Sequence, residues 1–353
     1  MAIPDSMAAA VLHGPGDLRI ESVGVPRPAK GEVLVKVGAC GICGSDVPRV
    51  MTKGTYSFPL IPGHEFAGTI AALGEGVGGW REGDRVAVFP LIPCRECDMC
   101  EEETYELCQS YDYLGSRSNG AFAEYVVAPA WNLIGVPEGV SMEVAAMTEP
   151  AAVACHGVSR GNVSDGDTAA VFGAGPIGII ITQWCAALGA GPLWIVDIQP
   201  DKLAVADELT EATCLNGMDA DAAEVILDAT GGKGVDAAIE AAGVPATALQ
   251  CIAAAARNGT VVLLGNPSTD LTIPMADVSQ ILRKQLEILG TWNSSFGHDE
   301  NDDWTATLRA MASGKLNLEP LITHRYRIDQ ANEAFRMMTS GGEFYNKVMF
   351  VFE

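Results

Sequence analysis

Four cysteines stand within fifteen residues, Cys94, Cys97, Cys100 and Cys108, spaced C-x-x-C-x-x-C-x(7)-C. Four thiolates so placed can close a tetrahedral shell around one zinc, and a closed shell leaves no position for substrate, so the chemistry they offer is structural. Unmetallated core thiols and a redox Cys-x-x-Cys are the other readings of the same residues, although no thioredoxin-like strand and helix pattern surrounds them. A second set is dispersed and mixed. Cys43 lies in the turn Gly41-Ile42-Cys43-Gly44-Ser45-Asp46, His64 and Glu65 in Gly63-His64-Glu65-Phe66, and Glu149 in Thr148-Glu149-Pro150. A catalytic zinc takes sulfur, nitrogen and oxygen donors from separated segments and keeps one position open for water or an alcohol. Taken singly, Cys43 also reads as a buried thiol and His64 as a satisfied loop histidine, and spacing alone does not choose.

A third group is suited to holding a dinucleotide. Val171-Phe172-Gly173-Ala174-Gly175-Pro176-Ile177-Gly178 supplies G-x-G-x-x-G, and it follows an apolar run and opens a helical pattern. In that context the backbone can approach a pyrophosphate at a helix N-terminus. The next apolar run ends in Val196-Asp197. That places a carboxylate about 20 residues beyond the glycines, where it would accept the ribose hydroxyls and repel a 2′-phosphate, favouring NAD over NADP. The plainer alternative is a structural turn with a solvent-facing Asp. Gly173, Gly175, Pro176, Ile177 and Gly178, with Asp197, Lys202 and Gly265, are the candidate cofactor-binding residues.

The elements that must position these residues fall into three zones. Up to about residue 150 short β-like runs such as Glu32–Val37 and Arg85–Phe89 are broken by Gly and Pro, as in irregular antiparallel structure. From about 155 to 290 strands and helices alternate. The runs Ala169–Phe172, Leu193–Val196, Ala237–Glu240 and Thr260–Leu264 are separated by helical patterns at Ile177–Leu188, Lys202–Leu209 and Thr247–Ala256, which predicts a doubly wound parallel sheet. The remainder, Thr291–Glu353, offers helices near Asp303–Ser313 and Asp329–Ser340 and a terminal strand at Lys347–Phe352. It is too short for a domain of its own and is expected to pack back onto the first zone.

Bulk properties narrow the function classes. With 353 residues, two cores are expected, and 48% hydrophobic with 19% charged residues is an ordinary globular mixture. A formal charge of -23, from 45 acidic against 22 basic residues, argues against nucleic acid or anionic lipid as partners. The residues Met1–Ala10 lack a basic start followed by an apolar run, and Ile177–Leu188 is too short to span a bilayer. A cytoplasmic protein with no membrane partner is expected, in which ten cysteines stay reduced.

In order and separation, the Cys43 turn, Gly63-His64-Glu65, the four-cysteine lobe and the Gly173–Gly178 loop resemble the zinc-containing medium-chain alcohol dehydrogenases over essentially the whole chain. Glu149 stands where the better-known members use a third zinc-binding cysteine, which is similar to the sorbitol, butanediol and threonine dehydrogenase branch. Gly44-Ser45-Asp46-Val47-Pro48-Arg49, Tyr111-Asp112-Tyr113-Leu114-Gly115-Ser116-Arg117, Ile281-Leu282-Arg283-Lys284 and Leu318-Glu319-Pro320-Leu321-Ile322-Thr323-His324-Arg325 resemble the galactitol-1-phosphate 5-dehydrogenase group.

The resemblance implies a GroES-like, mostly-β catalytic domain over 1–154 and 291–353, with a structural zinc lobe at about 90–110, around a Rossmann NAD-binding domain at 155–290. It implies two zincs per chain, one held by Cys94, Cys97, Cys100 and Cys108, the other by Cys43, His64 and Glu149 with Glu65 alternating or beside them. It also implies that Asp46 takes the second ring N–H of His64, that Ser45 receives the alcohol proton, and that the protein is a homodimer or homotetramer. Ser45 reads equally well as a cap on its Gly-rich turn, and Pro48 stands where many members carry a relay His. The implied reaction moves hydride between a secondary alcohol of a polyol or polyol phosphate and NAD, giving the ketose. Arg49, Lys53, Tyr56, Arg117 and Arg283 are the substrate candidates. A 2,3-butanediol or L-threonine type dehydrogenase and a catalytically silent nucleotide-binding protein are the competing readings.

Overall fold

The computed structural model describes residues 3–300 and 302–352; Met1, Ala2, Asn301 and Glu353, the ends of the expected catalytic domain among them, lie outside the described residues. The chain divides into two compact units. One comprises Met1–Pro150, Ser295–Ala312 and Leu318–Glu353, and the other Ala151–Ser294 with Ser313–Asn317.

The first unit is built on a seven-stranded sheet whose centre is Glu32–Ile42. Its β-branched Val33, Val35 and Val37 are buried in the core and Leu34 is buried between them, which is why this segment holds the middle of the sheet. Glu65–Leu73 pairs along its length, Tyr125–Pro129 with its first half, and Lys347–Val351 with Ala39–Ile42, all antiparallel. The C-terminal strand thus docks onto the N-terminal part of the chain, between Glu32–Ile42 and Ile322–Tyr326. Under this sheet Phe122 meets Phe350 edge-on at 4.9 Å and Phe335 at 6.2 Å. Burying aromatic rings of this size contributes roughly 1.5–3 kcal/mol each.

The second unit is a six-stranded sheet in the order Thr213–Asn216, Leu193–Asp197, Ala169–Phe172, Val235–Glu240, Ala255–Leu263, Glu287–Gly290, with every pairing parallel. At its centre Ala169–Phe172 is apolar throughout and Leu193–Asp197 is apolar up to its last residue, as strands covered by helices on both faces tend to be. Among the helices between them are Pro176–Ala187, Pro200–Leu209 and Pro245–Ala254. Each opens with proline, whose fixed φ and missing N–H suit the first turn.

The helix expected at Thr247–Ala256 ends two residues earlier, because Ala255 and Ala256 already belong to the next strand. Alanine carries no strong preference against either state, so composition could not mark that border. No described helix is long and apolar enough to cross a membrane.

Candidate functional site

The first unit brings Cys43, His64 and Glu65 together, with one donor atom from each lying within 4.8 Å of the others. Their elements explain the convergence. Cys43 follows the end of strand Glu32–Ile42, and Glu65 begins the strand paired to it, in register with Gly41. A Cβ at Gly41 would sit 2.2 Å from Glu65 Oε2, so only glycine leaves room there for the carboxylate. The donors are a thiolate, an imidazole and a carboxylate, the mixed set that suits a catalytic zinc.

Charged groups ring this cluster. Lys347 Nζ reaches both oxygens of Glu65, at 2.9 and 2.7 Å, with both side chains buried. Burial opposes the Lys347 charge, yet Glu65 beside it holds its pKa above the usual lysine range. Asp46 Oδ1 lies 3.5 Å from His64 Nδ1, and that nitrogen makes no hydrogen bond among the described residues. Asp46 therefore approaches His64 as an ionic neighbour, and its close bonds go to the Cys43 N–H, at 3.1 Å, and to Arg49 Nη1. Ser45 Oγ donates to Cys43 Sγ at 3.2 Å. Glu149 opens helix Thr148–Arg160 outside the tight triad and accepts from Tyr113 Oη at 3.2 Å. Burial pushes its carboxyl up to about 7, against the pull of the nearby His64 and with the push of Glu65.

The second metal-capable group is the four-cysteine lobe. The sulfurs of Cys94 and Cys100 are 4.0 Å apart, Cys97 and Cys100 3.6 Å, and Cys97 and Cys108 3.9 Å. A tetrahedron with zinc–sulfur bonds of about 2.3 Å has edges of about 3.8 Å, so the spacing fits zinc. The N–H of Cys94 donates to Cys108 Sγ at 3.2 Å and that of Arg95 to Cys100 Sγ at 3.3 Å. Such donors favour thiolates, whereas burial pushes Cys100 and Cys108 up; a bound cation resolves that conflict.

In the second unit the Gly173–Gly178 loop joins strand Ala169–Phe172 to helix Pro176–Ala187. A Cβ at Gly178 would lie 1.7 Å from the Gly173 carbonyl oxygen, so this glycine lets the helix close onto the loop. Asp197 ends the neighbouring strand and touches the loop, its Oδ2 accepting from the Ala174 N–H at 2.8 Å. Its Oδ1 accepts from the N–H groups of Ile198 and Gln199, and Lys202 Nζ stands 3.9 Å from Oδ2. Gly265 follows the fifth strand of the sheet order, against Gly243 and Glu240. This is a dinucleotide-type loop with an acidic residue beside it.

The sequence matches the alcohol dehydrogenase GroES-like domain over residues 29–138 and the zinc-binding dehydrogenase domain over residues 176–313. The galactitol 1-phosphate 5-dehydrogenase of Escherichia coli K12 is 33% identical over 331 residues, covering 94% of this chain and 96% of that protein. The chain belongs to the zinc-containing medium-chain alcohol dehydrogenases.

The sorbitol dehydrogenase of Bacillus subtilis is a further relative of this dehydrogenase, 34% identical over 338 residues, 94% of this chain and 93% of the relative. Among solved structures, galactitol-1-phosphate dehydrogenase from Escherichia coli superposes with a TM-score of 0.91 at 33% identity, over 98% of this chain and 100% of that one. A zinc-binding dehydrogenase from Sinorhizobium meliloti 1021 bound to NADP aligns with a TM-score of 0.91 at 29% identity, over 99% of this chain and 100% of its own. A short chain alcohol dehydrogenase from E. coli CFT073, complexed with NADH, gives a TM-score of 0.89 at 30% identity, over 99% of this chain and 100% of that one. The dehydrogenase is thus a zinc- and nicotinamide-dependent oxidoreductase of the polyol and alcohol type.

The substrate candidates of this dehydrogenase separate. Arg49 is engaged by Asp46, and Lys53 closes the short helical turn Arg49–Lys53. Arg283 lies in the second unit on helix Met275–Lys284, its Nε donating to Ser279 Oγ at 3.1 Å. The Arg117 guanidinium is sandwiched between the rings of Tyr56 and Tyr111, at 4.4 and 4.5 Å, with no carboxylate paired to it among the described residues. Sequence reasoning did not single out Lys347, which reads as one polar residue in an apolar terminal strand, or Tyr113, which lies inside a quoted stretch. An isolated lysine at a core-facing strand position is the signal that could have found the first.

Proposed function

We propose that this dehydrogenase oxidises a secondary alcohol of a polyol phosphate of the galactitol-1-phosphate kind, yielding the ketose phosphate, NADH and a proton. The carrying observation is the Arg117 guanidinium, held against two tyrosine rings with no carboxylate partner among the described residues. Tyr111 meets Tyr113 edge-on at 6.2 Å, and Tyr113 meets His64 at 5.7 Å, so ring contacts link this cation to the metal-capable cluster. A guanidinium presented on aromatic faces is suited to a phosphate, and on a chain of net charge -23 an unpaired cation is the group a dianionic substrate needs.

In this reading Cys43 and His64, which converge with Glu65, hold the catalytic zinc together with Glu149, the ligand the resemblance implies, and Glu65, drawn off by Lys347, is the reserve carboxylate. Cys94, Cys97, Cys100 and Cys108 hold the structural one. When bound, zinc supplies a Lewis acid that eases loss of the alcohol proton, and the nicotinamide accepts the hydride. Ser45 Oγ, whose hydrogen here points to Cys43 Sγ, would turn that hydrogen to a water as it accepts the substrate hydroxyl proton, the water standing in where Pro48 replaces the relay His. Gly173, Gly175, Pro176, Ile177, Gly178, Lys202 and Gly265 cradle the dinucleotide, and Asp197 favours NAD over NADP by repelling a 2′-phosphate.

The protein works in the cytoplasm, where its ten free cysteines stay reduced. It assembles as a homodimer or homotetramer, supported by Met275, Val278 and Leu282 lying exposed on one helix.

The test is NAD reduction with galactitol 1-phosphate set against galactitol, sorbitol, 2,3-butanediol and L-threonine. An Arg117→Ala variant is expected to raise KM for the phosphorylated polyol at least tenfold, about 1.4 kcal/mol, while sparing the neutral one. Equal use of phosphorylated and neutral polyols, with Arg117→Ala silent, would overturn the phosphate reading.

A further inference from the structure

The polar contacts around Glu149 have a consequence for how its carboxylate is aimed. Glu149 is buried, and the one hydrogen bond its carboxylate accepts among the described residues comes from Tyr113 Oη, at 3.2 Å on Oε1. The ring of the same tyrosine stands edge-on to His64, centroids 5.7 Å apart at 65°. Residues 64 and 149 are thus touched by one side chain. The backbone that carries it is held at both its N–H and its carbonyl. The Tyr113 N–H donates to Asp112 Oδ1 at 2.7 Å, and its carbonyl accepts from the N–H groups of Ser116, Arg117 and Ser118 at 3.2, 2.9 and 3.2 Å.

We propose that Tyr113 is a positioning residue for the catalytic metal, its hydroxyl holding Glu149 Oε1 so that Oε2 is the oxygen offered, and its ring edge fixing the imidazole of His64. This rests on the reading of Glu149 and His64 as metal ligands. A buried carboxylate near a second one, Glu65, would otherwise rotate away from the like charge. One neutral donor on the far oxygen sets the plane of the carboxylate without adding a competing cation. Lys347 does the opposite for Glu65, occupying both of its oxygens. The two carboxylates therefore have different standing toward the metal, Glu149 retained and Glu65 held back.

Tyr113→Phe keeps the ring and removes only the hydroxyl, so it separates aiming from packing. In chelator competition the variant is expected to hold metal at the catalytic site about tenfold more weakly, with the four-cysteine site unchanged. With cobalt(II) replacing zinc, its visible absorption bands should shift. In a Glu149→Gln background the same change should add little, since the bond it removes no longer serves a carboxylate ligand. Unchanged metal affinity and an unchanged cobalt spectrum in Tyr113→Phe would overturn the proposal, as would an undiminished penalty in the Glu149→Gln background. A wild-type protein holding only one metal would instead overturn the parent reading, and this one with it.

Discussion

Burial of Glu149 sets a pH dependence that belongs to that single side chain. Desolvation raises its carboxyl to about 7, against the usual 4.5, although His64 pulls the other way. A ligand carboxylate must be ionised, so a proton competes with the metal below about pH 7. Metal affinity at the catalytic site is therefore expected to fall as pH drops from 8 to 6, by up to about tenfold per unit for this one proton. For the metal-free protein the sign is opposite. A carboxyl whose folded pKa is raised makes its stabilising contribution at low pH and loses it as pH rises through 4.5 toward 7. Chelator competition and thermal melts across that range read the two trends, and a flat metal affinity would refute the ligand role. Cys43, His64 and Glu65 were legible through the resemblance of their motifs, since with 45 acidic residues a carboxylate is no signal by itself and spacing alone did not choose. Lys347 and Tyr113 were not legible, since each acquires its role from a partner far away in the chain, Glu65 and Glu149 respectively.

At the scale of elements, the four-cysteine lobe shows what a metal adds where regular structure is thin. Around Cys94–Cys108 there are only a four-residue helix, Asp98–Glu101, and one 3-10 turn, Tyr105–Leu107. The backbone hydrogen bonds within this stretch are local turns, such as Glu101 N–H to the Cys97 carbonyl and Cys108 N–H to that of Tyr105, and no sheet among the described residues holds the four sulfurs in place. Cys108→Ser is therefore expected to lower the melting temperature by about 5 °C or more, and Cys43→Ser far less, as differential scanning calorimetry would read it. Equal melting temperatures would mean the lobe stands without its ion.

The inner strands of the second unit were legible from short apolar runs that are buried on both faces, as in Ala169–Phe172 and in Leu193–Asp197 before its terminal aspartate. The sheet's edge strands were not. Thr213–Asn216 is largely half-buried and Glu287–Gly290 mixes polar with apolar residues, so neither carries the apolar run that marked the inner strands. Helix Met275–Lys284 also escaped, its apolar residues Met275, Val278 and Leu282 facing outward where a core stripe would be sought.

For the whole molecule, the metal-capable cluster and the dinucleotide loop belong to different compact units. Each can therefore be damaged without unfolding the other. His64→Ala should abolish turnover and lose one of two zincs, while NAD binding measured by calorimetry stays within about twofold of the wild type. Retained turnover would remove His64 from the mechanism, and lost NAD binding would show that the two sites do not stand alone. The strong acidity, read from composition, belongs to this scale as well. It argues against polyanionic partners without specifying any site.

The strand Lys347–Val351 lies inside the sheet of the first unit, hydrogen-bonded on both sides, and its first residue neutralises Glu65. Lys347 and Glu65 lie 282 residues apart, so a ribosome delivers the lysine long after the carboxylate it must balance. Until then Glu65 has no countercharge from that strand, and the edge of Glu32–Ile42 is open to whatever else can pair with it. A polypeptide released anywhere between Glu65 and Lys347 would keep Cys43, His64 and Glu65 but lack the lysine that balances them.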